Sequence, residues 1–320
     1  MARRTIGAKD LGFRLGTGVF ALILVLIVVG IGLVLWNEST LSIRAFGFRF
    51  WKTTTWDPVA GDFGAFPFIW GTLYSSILAL LLATPVSLGI AIFLSELCPH
   101  GLRTPLVFLT ELLAAIPSIV YGLWGIFVLV PLLRQAQMAL PEWMTNLPMF
   151  SGPPYGVSLG AAAVILAIMI VPYTSSVARE VLKAVPDAQR EGAQALGATR
   201  WEATLIALYY ARTGIVGAVM LGFGRAMGET MAVTMVIGNN QQVSWSLFAP
   251  QYTMAAVIAN EFKEAVEELH LHALVEIGLV LFVITLIVNL GSRLLIWSMT
   301  REHAAHRPPA TVVPAGESAA

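Results

Sequence analysis

Residues 222–234 of this chain read Gly222-Phe-Gly-Arg-Ala-Met-Gly-Glu-Thr-Met-Ala-Val-Thr234. In this apolar stretch only Arg225 and Glu229 carry charge. Residues four apart share one face of an α-helix, so the two side chains can pair there. Each charge costs roughly 2.5–3.5 kcal/mol at the centre of a bilayer. The stretch therefore predicts a membrane helix whose charged face meets protein or water, and both residues are candidates for function.

The composition indicates a membrane protein. Hydrophobic residues make up 57% of the chain and charged residues 12%, and the mean hydropathy is +0.76. These values lie outside the range of soluble globular domains. The formal net charge of zero argues against a nucleic-acid binder. Cys98 is the single cysteine, which excludes an internal disulfide and a cysteine-based metal site.

Six segments are long and apolar enough to cross a bilayer, which predicts an all-α integral membrane protein. The first lacks a small-x-small cleavage site, so we expect a retained helix and not a signal peptide. Residues 1–12 precede it as a cytoplasmic N-terminus, and residues 300–320 are polar and proline-bearing, which predicts a disordered cytoplasmic tail. The expected spans within 13–299 are 13–36, 70–97, 105–133, 158–178, 205–237 and 271–297.

Lysine and arginine predict the orientation. If the N-terminus is cytoplasmic, the inner segments hold 12 of the 19 basic residues and the outer segments hold five. The other two, Arg212 and Arg225, lie within the fifth span. Because cytoplasmic loops of membrane proteins carry the excess of positive charge, we expect both termini inside.

The longest inner segment, about 179–204, predicts two helices joined by a glycine. Pro186 starts a short helix over 188–196, and Gly197 stops it. Thr199 and Glu202 have the spacing of a capping box for the next helix. In the short helix Glu191 lies beside the small residues Gly192 and Ala193, which suits insertion into a cleft on another protein. An ordinary connection between two spans is the alternative.

The outer segments carry aromatic and acidic residues. Trp51, Trp56 and Trp70 either form an aromatic belt at the membrane interface or belong to a docking surface for an external partner. The acidic stretch that follows the fifth span is most simply a solvated helix face. His270 and His272 do not share a helix face, so we do not expect a metal site there.

The pattern Glu191-Gly-Ala-x-x-x-Gly197 resembles the EAA loop of ABC-importer permeases, the element that docks onto the ATPase subunit. With four further motifs, it makes the region from about Trp70 to Asn289 similar to the phosphate-specific permeases of this family. The resemblance implies a bundle like that of type I ABC-importer permeases. The further motifs are Leu112-Leu-Ala-Ala-Ile-Pro-Ser-Ile-Val-Tyr-Gly-Leu-Trp-Gly125, Val171-Pro-Tyr-Thr-Ser-Ser-Val-Ala-Arg-Glu180, Gly197-Ala-Thr-Arg-Trp-Glu202 and the stretch 222–234.

The resemblance also implies that transport and ATP hydrolysis are carried out by different proteins. The chain would move inorganic phosphate by alternating access, together with a second permease, two copies of an ATPase and an external phosphate-binding protein. ATP and Mg²⁺ would be bound by the ATPase, and this chain has no Gly-x-x-x-x-Gly-Lys-Ser/Thr loop and no expected cofactor. Glu191, Gly192, Ala193 and Gly197 would couple the chain to the ATPase.

Three roles of the charged pair stay open. Arg225 could meet phosphate through bidentate hydrogen bonds while Glu229 orients it. It could instead pair within the protein as a gate. A structural ion pair with no part in transport is the third role. Gly224 and Gly228 flank the arginine at a spacing that favours close helix contact.

The loop departs from the family pattern at two places. Gly192 replaces the first alanine of the Glu-Ala-Ala motif. Ala207, Tyr209 and Tyr210 stand where Ile, Leu and Pro are expected. Because the missing proline would have broken a helix, we expect the fifth span to leave the loop as one unbroken helix.

Other functions compete with phosphate import. A permease for sulfate, molybdate or a phosphonate would share the mechanism. A polytopic enzyme is disfavoured because no Ser/His/Asp set and no His-Glu-x-x-His helix is visible. A secondary transporter or channel would be expected to carry an internal repeat, and none is clear.

Overall fold

The computed structural model describes residues 8–305, and it describes side-chain surroundings over 12–299. Nearly all of the regular structure in this part is helical. The expected cytoplasmic tail, residues 300–320, begins inside the last helix, which ends at Ala305. Residues 306–320 of this tail and residues 1–7 lie outside the described residues. In chain order the elements are α1 (Ala8–Glu38), α2 (Thr40–Phe46), β1 (Trp56–Asp57), β2 (Asp62–Phe63), α3 (Phe66–Ile92), α4 (His100–Ala114), α5 (Ser118–Trp124), α6 (Val130–Met138), α7 (Glu142–Thr145), α8 (Leu159–Lys183), α9 (Asp187–Ala195), α10 (Arg200–Met227), α11 (Met231–Val236), α12 (Met254–Glu261) and α13 (Glu268–Ala305).

Three short helical turns complete the chain path. Gly47–Arg49 is a 3₁₀ turn after α2, whereas Phe93–Leu97 and Gly125–Leu129 are π-helical turns that follow α3 and α5. The strands β1 and β2 pair antiparallel in a small hairpin.

Six segments among the described residues have the length and hydropathy of a membrane span, which agrees with the predicted fold class. Each is a helix or a run of helical turns without a non-helical break, and several contain an internal proline that the membrane interior tolerates. The segments are Gly12–Glu38, Phe66–Leu97, Ser118–Met138, Leu159–Lys183, Arg200–Met227 and Glu268–Met299.

Two expected spans are broken. The segment 105–133 is not one helix, because α4 ends at Ala114 and Pro117 adopts an extended conformation (ψ 139°) before α5 begins. A proline at this position has no N–H to donate to the preceding turn. The segment 205–237 is also divided, since α10 ends at Met227 and α11 begins only at Met231. Gly228 follows the last residue of α10, where helices commonly stop.

The described chain forms two compact units. The first comprises residues 8–82, 115–169 and 225–286, and its core is rich in aromatic side chains. Phe50, Phe63 and Phe68 are fully buried there beside Trp56 and Leu274.

Trp56 is the centre of this aromatic core. Its ring meets Phe63 and Phe68 edge-on, with centroids 4.8 and 5.0 Å apart. Its Nε1 donates to Oε2 of Glu261 at 2.8 Å, and Nε2 of His270 lies 3.3 Å from the same oxygen. Trp56 is therefore a core residue and neither an interfacial belt nor an exposed docking residue.

Further polar groups fix the same core. Trp70 donates to the carbonyl of Ser244 at 3.1 Å and packs against Trp245. Burial raises the pKa of Tyr252 to about 12, so its phenol stays neutral and accepts a hydrogen bond from Asn260 at 2.9 Å. The aromatic segments between the spans thus pack together into one folded core and are not separate loops.

The second unit comprises residues 83–114, 170–224 and the described part of 287–305. Its core is built from small and aliphatic residues, among them Ala178, Leu182, Ala207 and Ala211. Glycines of α10 allow α8 to approach closely, because a Cβ at Gly214 would lie 2.4 Å from Val181 Cγ1.

Candidate transport site and coupling helix

Arg225 lies in the last turn of α10, and its side chain is exposed in this chain. Glu229 lies beyond the helix end, between α10 and α11, and is half-buried. The helix break means that the two residues do not share one continuous helix face, which corrects the geometry expected from their spacing. Their neighbourhood is a discontinuous helix, a feature that membrane proteins tolerate where backbone is buried in protein or lines a cavity.

The carboxylate of Glu229 caps the second half of the broken helix. Its Oε1 accepts from the backbone N–H of Ala232 at 3.5 Å. The Thr230 hydroxyl donates to the carbonyl of Gly228 at 3.4 Å, and that of Thr234 to the carbonyl of Thr230 at 2.7 Å. The bonds made by Glu229 and Thr230 satisfy backbone groups at the break, whereas the Thr234 hydroxyl adds a second bond to a carbonyl that already accepts from the N–H of Thr234.

α11 packs closely against α5 and the π-helical turn after it. A Cβ at Gly122 would lie 3.1 Å from Cα of Ala232, and one at Gly125 would lie 2.7 Å from Cγ1 of Val236. Because Gly122 and Gly125 have no side chain, α11 can pack closely against this part of the chain. Tyr121, also on α5, lies within electrostatic reach of Arg225.

Of the two glycines expected to make a close helix contact beside Arg225, Gly224 does not make one among the described residues. A Cβ at Gly224 would meet nothing within 4 Å among the described residues, whereas one at Gly222 would lie 2.4 Å from Oγ1 of Thr174. The close helix contact of this stretch is therefore made by Gly222 against α8.

The short helix α9 presents most of its surface to solvent. Glu191, Gly192 and Gly197 are exposed, while Ala193 is buried against the protein. Leu196, just after the helix, is 92% exposed. The exposed side chain of Leu196 and the exposed carboxylate of Glu191 leave this side of α9 open to a protein contact.

Local signals end α9 and start α10 as the sequence predicts. Gly197 has a φ of +90°, a conformation that favours glycine, and the N–H of Ala198 donates to the carbonyl of Ala193 at 3.1 Å. The carboxylate of Glu202 accepts from the N–H of Thr199 at 2.7 Å, which completes the capping box. α10 then runs without a break, as expected from the missing proline.

Arg190 holds α9 to the rest of its unit, a role that we did not predict from the sequence. Its guanidinium binds Glu96 with two bonds, Nε to Oε2 at 3.1 Å and Nη2 to Oε1 at 2.7 Å. It also donates to the carbonyls of Leu182 and Val185, each at 2.9 Å. Glu96 lies in the π-helical turn after α3, so one arginine joins three segments. The side chains of Arg190 and Glu96 are only 17% and 11% exposed.

We expect Glu96→Gln to loosen α9. The change leaves Arg190 without its buried counter-charge, which costs about 2–3 kcal/mol and corresponds to roughly 30- to 150-fold more frequent local opening. Hydrogen exchange of the α9 amides measures this opening. Asp187→Asn is the matched control, because that carboxylate contacts the same arginine at 3.3 Å but is 87% exposed. Equal exchange rates in the two variants would show that the buried pair does not hold the helix.

The sequence of this chain matches the model of a known protein family. The model described as "Binding-protein-dependent transport system inner membrane component" matches residues 100–300, which is more than half of the chain. The chain belongs to this family. The matched region contains α9, α10, the helix break and the glycines of α5, so the candidate site falls within the family's own domain.

Relatives within the family are similar in sequence to this chain over about nine-tenths of its length. The "Phosphate transport system permease protein PstC" of Haemophilus influenzae is 48% identical over 293 residues, which cover 90% of this chain and 93% of that protein. The protein of the same name from Mesorhizobium japonicum is 45% identical over 291 residues, which cover 89% of each chain.

Solved structures share the fold at low sequence identity. A bacterial ABC transporter involved in the import of the acidic polysaccharide alginate matches with a TM-score of 0.55 and 16% identity, covering 89% of this chain and 97% of that one. The inward-facing MetNI methionine ABC transporter matches with a TM-score of 0.54 and 15% identity, covering 72% and 93%. The fold is thus that of ABC-importer permeases.

Proposed function

We propose that this chain is the permease subunit of an ATP-driven importer of inorganic phosphate. The observation that carries the proposal is the 45–48% identity to phosphate transport permeases over about nine-tenths of the chain. The chain is a multi-pass membrane protein with no role in ATP chemistry itself, and transport proceeds by alternating access. Both termini lie in the cytoplasm of a bacterial cell, and lipid surrounds the spans.

In this proposal, Arg225 contacts phosphate while the anion crosses the membrane. Its guanidinium is exposed at the end of α10, and a guanidinium fork matches two phosphate oxygens. Glu229 supports the helix break beside it through the bond to Ala232. A broken helix can change its shape at the break, which suits a site that also acts as a gate.

The helix α9 docks onto an ATPase subunit through Glu191, Gly192, Ala193 and Gly197. Two observations support this docking role: the surface of α9 is exposed, and Arg190 attaches α9 to the rest of its unit. α10 follows after a four-residue connection and is unbroken over 28 residues, about 42 Å at 1.5 Å per residue. In this proposal, ATP-driven movement of α9 is passed on to α10, the helix whose last turn contains Arg225.

The complete importer requires other proteins. They are a second, PstA-like permease, a PstB-like ATPase dimer that binds ATP and Mg²⁺, and an external PstS-like phosphate-binding protein. This chain supplies half of the membrane pathway and holds no cofactor of its own.

Uptake into proteoliposomes tests the proposal. We expect the complex assembled around this chain to take up labelled phosphate only when ATP and the binding protein are both present, with sulfate taken up at background level. Preferential sulfate or molybdate uptake would assign another oxyanion. Uptake that continues without the ATPase would instead indicate a secondary transporter or channel.

A further inference from the structure

A cavity of about 260 Å³ lies where the end of α1 and the 3₁₀ turn after α2 meet α13. Trp36, Phe48 and Trp51 supply aromatic walls, and aliphatic residues of α13 close the remainder. The single ionisable side chain that lines the cavity is Glu276. The cavity belongs to the first compact unit, and neither Arg225 nor any residue of α9 lines it.

Glu276 is buried without a complete set of hydrogen bonds. It lies on α13 and is 3% exposed. The Ser42 hydroxyl approaches the carboxyl group, but neither that hydroxyl oxygen nor Oε2 of Glu276 has a hydrogen-bond partner among the residues that the structure describes. A buried carboxylate without donors is costly, so a ligand that brings N–H donors or positive charge would stabilise this site.

The walls restrict the chemistry of such a ligand. Aromatic faces attract cations, and a carboxylate combined with indole rings is suited to an alkylammonium group. A hydrated metal ion fits poorly, because the walls beside Glu276 offer apolar carbon and not further oxygen ligands.

The position of the cavity favours a lipid as the source of this ammonium group. Trp36 lies near the end of the first span, at the level where interfacial tryptophans meet lipid headgroups. Arg44 and Arg49 are exposed on the two short helices that also contribute Phe48 to the wall. We propose that the cavity binds the ammonium headgroup of phosphatidylethanolamine, with Glu276 as its acceptor and the two arginines near the lipid phosphate.

Native mass spectrometry of the full-length chain tests this site. The protein, with its co-purifying partners, is exposed to equal amounts of phosphatidylethanolamine and phosphatidylglycerol in detergent, and the retained lipids are counted. We expect about tenfold more phosphatidylethanolamine on the wild type and equal retention of both lipids on Glu276→Gln. The matched control is Glu268→Gln, whose carboxylate is 80% exposed at the start of the same helix.

A second variant keeps the test informative if Glu276→Gln folds poorly. Trp36→Leu changes a largely exposed side chain, and we expect it to lower the preference for phosphatidylethanolamine about threefold. Equal retention of the two lipids by the wild type would overturn the proposal, as would an unchanged preference in Glu276→Gln. Saturation of the site by free ethanolamine would overturn the lipid source. A preference seen for the isolated chain but lost in the assembled complex would also overturn the proposal, because a protein partner would then cover the cavity.

Discussion

Replacing Arg225 with glutamine is expected to reduce phosphate uptake about 10- to 100-fold at an unchanged level of the protein in the membrane. The arginine is a charged donor in an otherwise apolar stretch, and its side chain is exposed at the end of α10. A hydrogen bond to a charged group contributes about 1.5–3 kcal/mol, which sets the size of the effect. Initial rates of labelled phosphate uptake, corrected for the amount of protein, measure it.

Two further variants show what the arginine contributes. Arg225→Lys keeps the charge but loses the planar fork, so we expect a rate between those of the wild type and the glutamine variant. Arg14→Gln removes an exposed arginine of α1 and should leave uptake unchanged. If Arg225→Gln transports at the wild-type rate, Arg225 has no direct part in the pathway.

Hydropathy alone predicts the number of spans, because a segment of about 20 apolar residues can satisfy its backbone only as a helix in a bilayer. It does not predict where a span is interrupted. Pro85 and Pro172 lie inside long helices, whereas Pro117 precedes a new one. The local sequence at these prolines is equally apolar, so the neighbouring segments decide between a bend and a break.

The candidate site was predictable as a set of residues but not as a geometry. The charges in the stretch 222–234 mark Arg225 and Glu229, yet their spacing suggests a shared helix face that the break after Met227 removes. Tyr121, which lies within electrostatic reach of Arg225, belongs to a motif about 100 residues earlier in the chain. This proximity depends on how the segments pack together, which no local sequence pattern encodes.

The attachment of α9 illustrates the same limit. Glu96 is an acidic residue at the end of an apolar span, and that position is a signal that it has a partner. Its partner Arg190 is 94 residues away, so the pair appears only in the folded chain. The exposed face of α9, in contrast, follows from its own sequence, because glycine, alanine and capping signals act locally.

Replacing Glu191 with lysine is expected to separate this chain from the ATPase subunit that we propose as its partner. Glu191 is exposed on α9, and a reversed charge at a protein contact costs several kcal/mol. We expect co-purification of the ATPase to fall about 100-fold or more and ATP-dependent uptake to be lost. Gln189→Lys is the matched control, because it adds the same side chain about 200° around the same helix, at another exposed position. The ATPase should remain bound to that control. If the Glu191→Lys complex stays intact and its ATP hydrolysis is still stimulated by transport, α9 is not the docking element, and the movement of α10 must be driven from another surface.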